Sequence, residues 1–84
     1  MTTFTITVEK PSNGFENLHG SIKAIPFGLL NSTHAYPKGD EFVVELRAFK
    51  KNDAYNAATA FLDSFEGTVL EVNETTGKKT HKFF

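Results

Sequence analysis

The chain has 84 residues, a formal net charge of −1 and no cysteine. That length gives room for a single domain, 1–84, and the missing thiols exclude a disulfide or thiolate-metal framework. The nearly balanced charge argues against a bulk polyanion binder and against an acidic mimic of DNA.

Thr3 to Glu9 predicts a strand, with Phe4, Ile6 and Val8 facing one way and the threonines the other. Because this stretch alternates and forms no apolar run, a signal peptide is not expected, and no segment is long enough to span a membrane. The expectation is a cytoplasmic protein, so the glycosylation-like Asn31-Ser32-Thr33 and Asn73-Glu74-Thr75 are taken as chance. Lys10 to Gly14 is a turn cluster, and its Asn13-Gly14 favours a tight reversal. Phe15 to Ile25 is expected as a second strand, with apolar Leu18, Ile22 and Ala24 and an irregularity at His19-Gly20. These two strands would form an antiparallel hairpin. Pro26 to Asp40 is the least regular part, with loop chemistry at Asn31 to His34 and Tyr36 to Gly39 around apolar Phe27, Leu29 and Leu30. Such a long connection is either functional or tucked onto the core, and its apolar residues favour tucking.

Glu41 to Glu74 predicts strand, helix, strand. Phe42, Val44, Leu46 and Ala48 alternate with Val43, Glu45, Arg47 and Phe49. Lys50-Lys51-Asn52-Asp53 then breaks the pattern and offers Asn52 and Asp53 as N-caps. Ala54, Ala58, Phe61, Leu62 and Phe65 fall on one helical stripe. Asp53 stands at the positive end of the helix dipole, and Gly67 sits where a left-handed C-cap is expected. Val69 to Val72 resumes strand character, and Thr75-Thr76-Gly77 turns the chain into a last strand. A two-residue Thr76-Gly77 loop sets Phe83 opposite Leu70 and Lys82 opposite Glu71. A three-residue loop with left-handed Gly77 would bury Phe84 instead, because one residue of slip exchanges the faces.

The expected fold is therefore α+β, in the order ββ-loop-β-α-ββ. A mostly antiparallel sheet of about five strands carries one helix on one face. Nine phenylalanines supply the core, each large ring contributing on the order of 2–3 kcal/mol when buried. On the helix side stand Phe4, Ile6, Val8, Phe42, Val44, Leu46, Leu70 and Val72. The other face would show Thr3, Thr5, Thr7, Val43, Glu45, Arg47, Phe49, Val69 and Glu71. An apolar patch rimmed by charge marks a contact surface, unless the 26–40 loop folds over it. A homodimer through this face or through an edge strand is a further option.

Catalytic chemistry finds little support. His19, His34 and His81 lie far apart without a ligand spacing, so no metal site is expected. The carboxylates are scattered, and no nucleophile elbow, P-loop or dinucleotide fingerprint occurs. No enzyme activity and no cofactor are expected. Nucleic acid is the stronger alternative. Arg47, Lys50 and Lys51 end the third strand, and Lys78, Lys79, His81 and Lys82 crowd the last residues among Phe49, Tyr55, Phe83 and Phe84. Cations interleaved with aromatics suit single strands, through phosphate contact and base stacking. A solvated basic edge that blunts aggregation is the structural alternative.

In size, single-domain build, lack of cysteine and the helix-to-hairpin passage Phe65-Glu66-Gly67-Thr68-Val69-Leu70, the chain resembles small host-antagonist proteins of bacteriophages and mobile elements, the anti-CRISPR proteins among them. The resemblance is one of type and brings over no functional residue. It implies a non-enzymatic inhibitor that occludes a host protein, or its nucleic-acid site, in the host-cell cytoplasm. On the sequence, the contact residues are Val43, Glu45, Arg47, Phe49 and Val69. Lys50, Lys51, Lys78, Lys79 and Lys82 form a basic rim, or the nucleic-acid-binding set in the alternative.

Overall fold

The computed structural model describes residues 1–11 and 15–83. The expected Asn13-Gly14 reversal and the burial of Phe84 lie outside the described residues. Five strands and two helices follow in the order β1 (Thr2–Glu9), α1 (Phe15–Lys23), β2 (Ser32–Lys38), β3 (Glu41–Ala48), α2 (Lys51–Ser64), β4 (Val69–Thr76) and β5 (Lys79–Lys82). The sheet runs β2-β3-β1-β4-β5, and all four pairings are antiparallel. β1 and β2 therefore run parallel on either side of β3, and β3 and β4 run parallel on either side of β1. Each parallel pair needs a crossover, and each crossover holds a helix. The element order up to β4 is that of the split βαβ, or ferredoxin-like, motif, with β5 added at one edge.

The principal correction concerns residues 15–25, which form no strand: Phe15–Lys23 is α1, and 24–25 turn the chain out of it. Leu18, Ser21 and Ile22 suit a helix as well as Leu18, Ile22 and Ala24 suit a strand. Leu18 and Ser21 are buried, whereas Ala24 is exposed. Both sides of β1 are already occupied, by β3 and β4, so no place beside it remains for a hairpin partner. The fold thus carries two helices. They lie together on one face, where Phe15 meets Phe42 with ring centroids 4.4 Å apart.

A second correction concerns 26–40. Residues 32–38 pair with β3 as an edge strand, in register from Ser32↔Arg47 to Lys38↔Glu41. The segment extends the sheet instead of lying over it. Its alternation was hidden because nearly every residue is exposed, and Pro37 is tolerated because the strand is at the edge. Gly39 turns it into β3 with φ +61°, the glycine-first pattern of a type II′ hairpin.

The core is where the strand-helix-strand pattern placed it. Phe4, Ile6, Val8, Phe42, Val44, Leu46, Ala48 and Val72 meet Ala54, Ala58, Phe61 and Phe65 of α2 and its exit, with Leu18 from α1. Small alanines let α2 approach closely, while Phe61 fills the centre at 0 % exposure. The helix ends differ in detail from expectation. Lys50 is the N-cap and makes no side-chain cap bond, and the C-cap is Phe65 in an extended conformation. Asp53 lies in the first turn, where its charge favours the dipole. Gly67 is needed for another reason: a Cβ there would stand 2.9 Å from the Phe65 ring.

β4 carries a bulge. The register with β1 passes from Thr7↔Glu71 to Val8↔Val69, leaving Leu70 as the extra residue. Val69 therefore turns to the helix side and packs on the core. Leu70, expected inside, is exposed. The last hairpin also departs from both expected registers. Thr76 pairs with Lys79 and Asn73 with Lys82, so Gly77-Lys78 is the turn, with Gly77 at φ +60°. This register is shifted by two residues from the first option, and an even shift preserves the faces. Phe83 accordingly stays on the helix side, stacked at 6.0 Å from Phe4. Lys82 reaches Glu71 diagonally, at 3.8 Å.

Candidate functional site

The residues expected to make the contact surface do not share one surface. Val43, Glu45 and Arg47 alternate on the uncovered sheet face. Val43, between Thr7 and Tyr36, is only 4 % exposed and offers no apolar area. Val69 is on the other face, for the reason above. Phe49 lies beyond the end of β3 and is 73 % exposed. The uncovered face is polar. It carries Thr3, Thr5 and Thr7, the Tyr36 hydroxyl donating to Glu45 Oε2 at 3.3 Å, and Asn73 Nδ2 donating to Glu71 Oε1 at 2.8 Å. Desolvation, followed by the charge of Glu45 and that hydrogen bond, raises the Tyr36 phenol above its ordinary value.

Register sorts the charges to opposite ends of the sheet. β1 begins beside the last residue of β3 and the last of β4, as Thr2↔Ala48 and Thr2↔Thr76. That end therefore collects Arg47, Lys50, Lys51, Lys78 and Lys79, with Asp53 in the first turn of α2 and Glu74 beside Lys51 as acids. The far end, where Glu9 faces Glu41, holds those two acids with Glu16, Asp40 and Glu66, and with Lys10 and Lys38 for cations. Opposed carboxylates are mildly unfavourable, so the separation has an energetic trace. A net charge of −1 conceals a molecule with a basic end and an acidic one. Lys82, expected in the basic set, lies instead on the uncovered face, paired with Glu71.

The basic end also carries exposed rings. Phe27, in the turn between α1 and β2, is fully exposed, and Phe49 and Tyr55 are more than half-exposed; Phe83, half-exposed, follows β5 at the level of Val72 and Ile6, in the middle of the sheet. Beside them, on the helix side, an open groove of about 610 Å³ runs between α2 and the last hairpin, lined by Lys51, Tyr55, Glu74, Thr76, Lys79 and His81 among others. It continues into a smaller apolar depression formed by Phe4, Leu62, Val72 and Phe83 with neighbouring α2 residues. Tyr55 stands edge-on to Phe4 at 6.3 Å, and His81 edge-on to Phe83 at 4.4 Å.

Glu74 and Phe27 are the groups that sequence reasoning missed. Glu74 carried a legible signal, since it follows Val72 at strand spacing and so falls on the core-facing side. Phe27 carried none, because an aromatic in an irregular segment is expected to be buried. His19 is exposed on α1, and His34 is exposed on β2. Among the described residues no group of three or more histidines and acids could hold a metal ion. No described helix is long and apolar enough to cross a membrane.

Comparison with family models, curated proteins and solved structures finds no match. The class is that of a small α+β domain with a five-stranded antiparallel sheet and two helices.

Proposed function

We propose that the protein is a non-enzymatic binding protein that acts by direct contact with a macromolecular partner, and that the contact is made at the basic end. One observation carries this reading: the exposed rings of Phe27 and Phe49 lie at the same end of the sheet as Arg47, Lys50, Lys51, Lys78 and Lys79. Large exposed aromatics supply affinity when desolvated, and surrounding cations speed and orient docking. The centre of the sheet face is the weaker candidate, because Val43 is already buried. A phage-type inhibitor that occludes a host protein is one member of this class, and the small single domain suits stoichiometric occlusion.

The test is capture from bacterial lysate by tagged protein, with and without nuclease, read by quantitative mass spectrometry. The double variant Phe27→Ala/Phe49→Ala is expected to lose the wild-type partner while keeping its circular dichroism. Undiminished capture overturns the reading. Unfolding of Phe49→Ala alone would show that ring to belong to the core, and would remove it from the surface.

A further inference from the structure

The groove between α2 and the last hairpin presents three kinds of group whose combined demands are unusual. On its floor is Glu74, in register with Phe4 on β1 and His81 on β5 and only 7 % exposed. Among the described residues its carboxylate is paired with Lys51 Nζ, at 3.9 Å, and with no hydrogen-bond donor. This carboxylate keeps a small opening to the groove and one long ion pair, so N–H donors brought by a ligand can reach it and supply hydrogen bonds that the described residues do not. The walls are Tyr55 and Phe83, both half-exposed, with Phe83 kept nearly parallel to Phe4 at 22°. At the mouth stand Lys51 and Lys79, and Lys50 and Lys78 continue the positive charge along the basic end.

The combination narrows the occupant. A bare anion suits the lysines but meets a carboxylate at the floor. A cationic side chain suits the carboxylate and the rings but has to pass several ammonium groups. A nucleotide satisfies all three, because its base stacks on an aromatic ring, its edge donates N–H, and its phosphate is negative. Lys50 and Lys78 do not line the groove itself and are left to meet further phosphates, which favours a strand over a free nucleotide.

We propose that this groove is a binding site for single-stranded nucleic acid. One base stacks on Tyr55 or Phe83 and donates to Glu74, while the backbone crosses Lys51 and Lys79 towards Lys50 and Lys78. Guanine fits the floor best, because its N1–H and exocyclic amino group are adjacent donors matching the two carboxylate oxygens. Uracil turns two carbonyl oxygens and one N–H to the same edge, and meets repulsion. Ring stacking tolerates every base, and the phosphate contacts are blind to sequence, so Glu74 is the discriminating group. This inference rests on the basic end being the contact surface.

The experiment is fluorescence-anisotropy titration of the intact protein with labelled RNA 10-mers. One is all uridine, and the other carries a single central guanosine. The guanosine strand is expected to bind about five-fold tighter or more, the range of one bidentate base contact. Glu74→Gln should erase that difference with the fold intact by circular dichroism. Lys79→Glu should weaken both strands alike and reduce the salt dependence by about one phosphate contact. Equal binding of the two strands by the wild type overturns the proposal, as does a guanosine preference that survives Glu74→Gln. Competition by guanosine monophosphate that is indifferent to Lys50→Glu and Lys78→Glu overturns the strand in favour of a free nucleotide. Absence of oligonucleotide binding overturns the proposal too. If a nuclease-resistant protein is then captured, and is lost on Phe27→Ala/Phe49→Ala, the contact reading stands without it. If the double variant changes nothing, both fall.

Discussion

The helix side of the sheet is divided into two regions with opposite chemistry. Over β1 and β3, alternate residues are Phe4, Ile6, Val8, Phe42, Val44 and Leu46, and the helices close on them until they are almost wholly buried. Over β4 and β5 the same alternation gives Val72, Glu74, Thr76, Lys79 and His81; Val72 and Glu74 are buried, and Thr76, Lys79 and His81 line an open groove with Glu74. Both regions obey one period-two rule. They differ in whether a helix can cover them without stranding charge. Packing α2 further over Lys79, which is exposed, would take its ammonium from water at a cost of several kcal/mol. Covering Ile6 and Leu46 instead gains about 2 kcal/mol or more for each side chain. Stability is thus concentrated in one half of the face, and the groove lies in the other.

Four substitutions or titrations probe that division. The largest effect is expected from Phe61→Ala in the covered half, a loss of about 3–5 kcal/mol. Thermal unfolding should fall by more than ten degrees, at roughly 4–8 °C per kcal/mol for a domain of this size. A loss below about 1 kcal/mol would show that α2 does not close the core. Next is Gly77→Ala in the turn of the open half. No atom lies within 4 Å of the added Cβ, so the expected cost of about 1–2 kcal/mol is backbone strain alone. Hydrogen exchange should then quicken in β5 before β1. Simultaneous loosening of both would mean that the two halves unfold as one unit.

Ser21→Ala should act in the opposite direction. The Ser21 hydroxyl is buried without a hydrogen-bond partner among the described residues. Removing it should stabilise the covered half by about 1 kcal/mol, measured by denaturant midpoint. A destabilised variant would reveal that the hydroxyl is satisfied in solution. The smallest effect lies on the opposite face, which serves as a control. Glu45→Gln should bring the Tyr36 phenol down towards its ordinary value near 10, followed by ultraviolet absorbance in a Tyr55→Phe background. Because the folded value lies above the unfolded one, this contribution to stability is present below about pH 10. It is lost as pH rises through the folded value. An unchanged titration would remove Glu45 as a cause.

The legible parts of the fold were those whose partners are near in sequence or whose pattern has one interpretation. β1, β3, α2 and β4 are of this kind. Phe42 to Ala48 alternates without ambiguity, and Ala54, Ala58, Phe61 and Phe65 repeat at helical spacing along the fourteen-residue α2 and its exit. Residues 15–25 were misread because Leu18 and Ile22 satisfy either period, and competition for the sides of β1 decides between them. β2 was misread because an exposed edge strand has no apolar side to alternate. Val69 and Leu70 exchanged faces through a bulge that no local residue announces. In the candidate site, the clustering of Lys50, Lys51, Lys78 and Lys79 was partly legible from two charge runs. The placing of Lys82 elsewhere was not, because it depends on a two-residue shift of hairpin register.

By itself, the sequence determined which segments could bury an apolar stripe, and therefore where the core-forming strands and the long helix lie. Those properties depend on spacings of two to four residues, within which side-chain chemistry acts directly. Tertiary structure alone decided that β1 is the central strand, that Phe15–Lys23 is a helical crossover, and that the charges part to opposite ends. It also decided that Lys51, Glu74 and Lys79 share one groove. Strand neighbours are chosen by the whole sheet competing for the same backbone donors and acceptors, and no local pattern encodes the outcome of that competition.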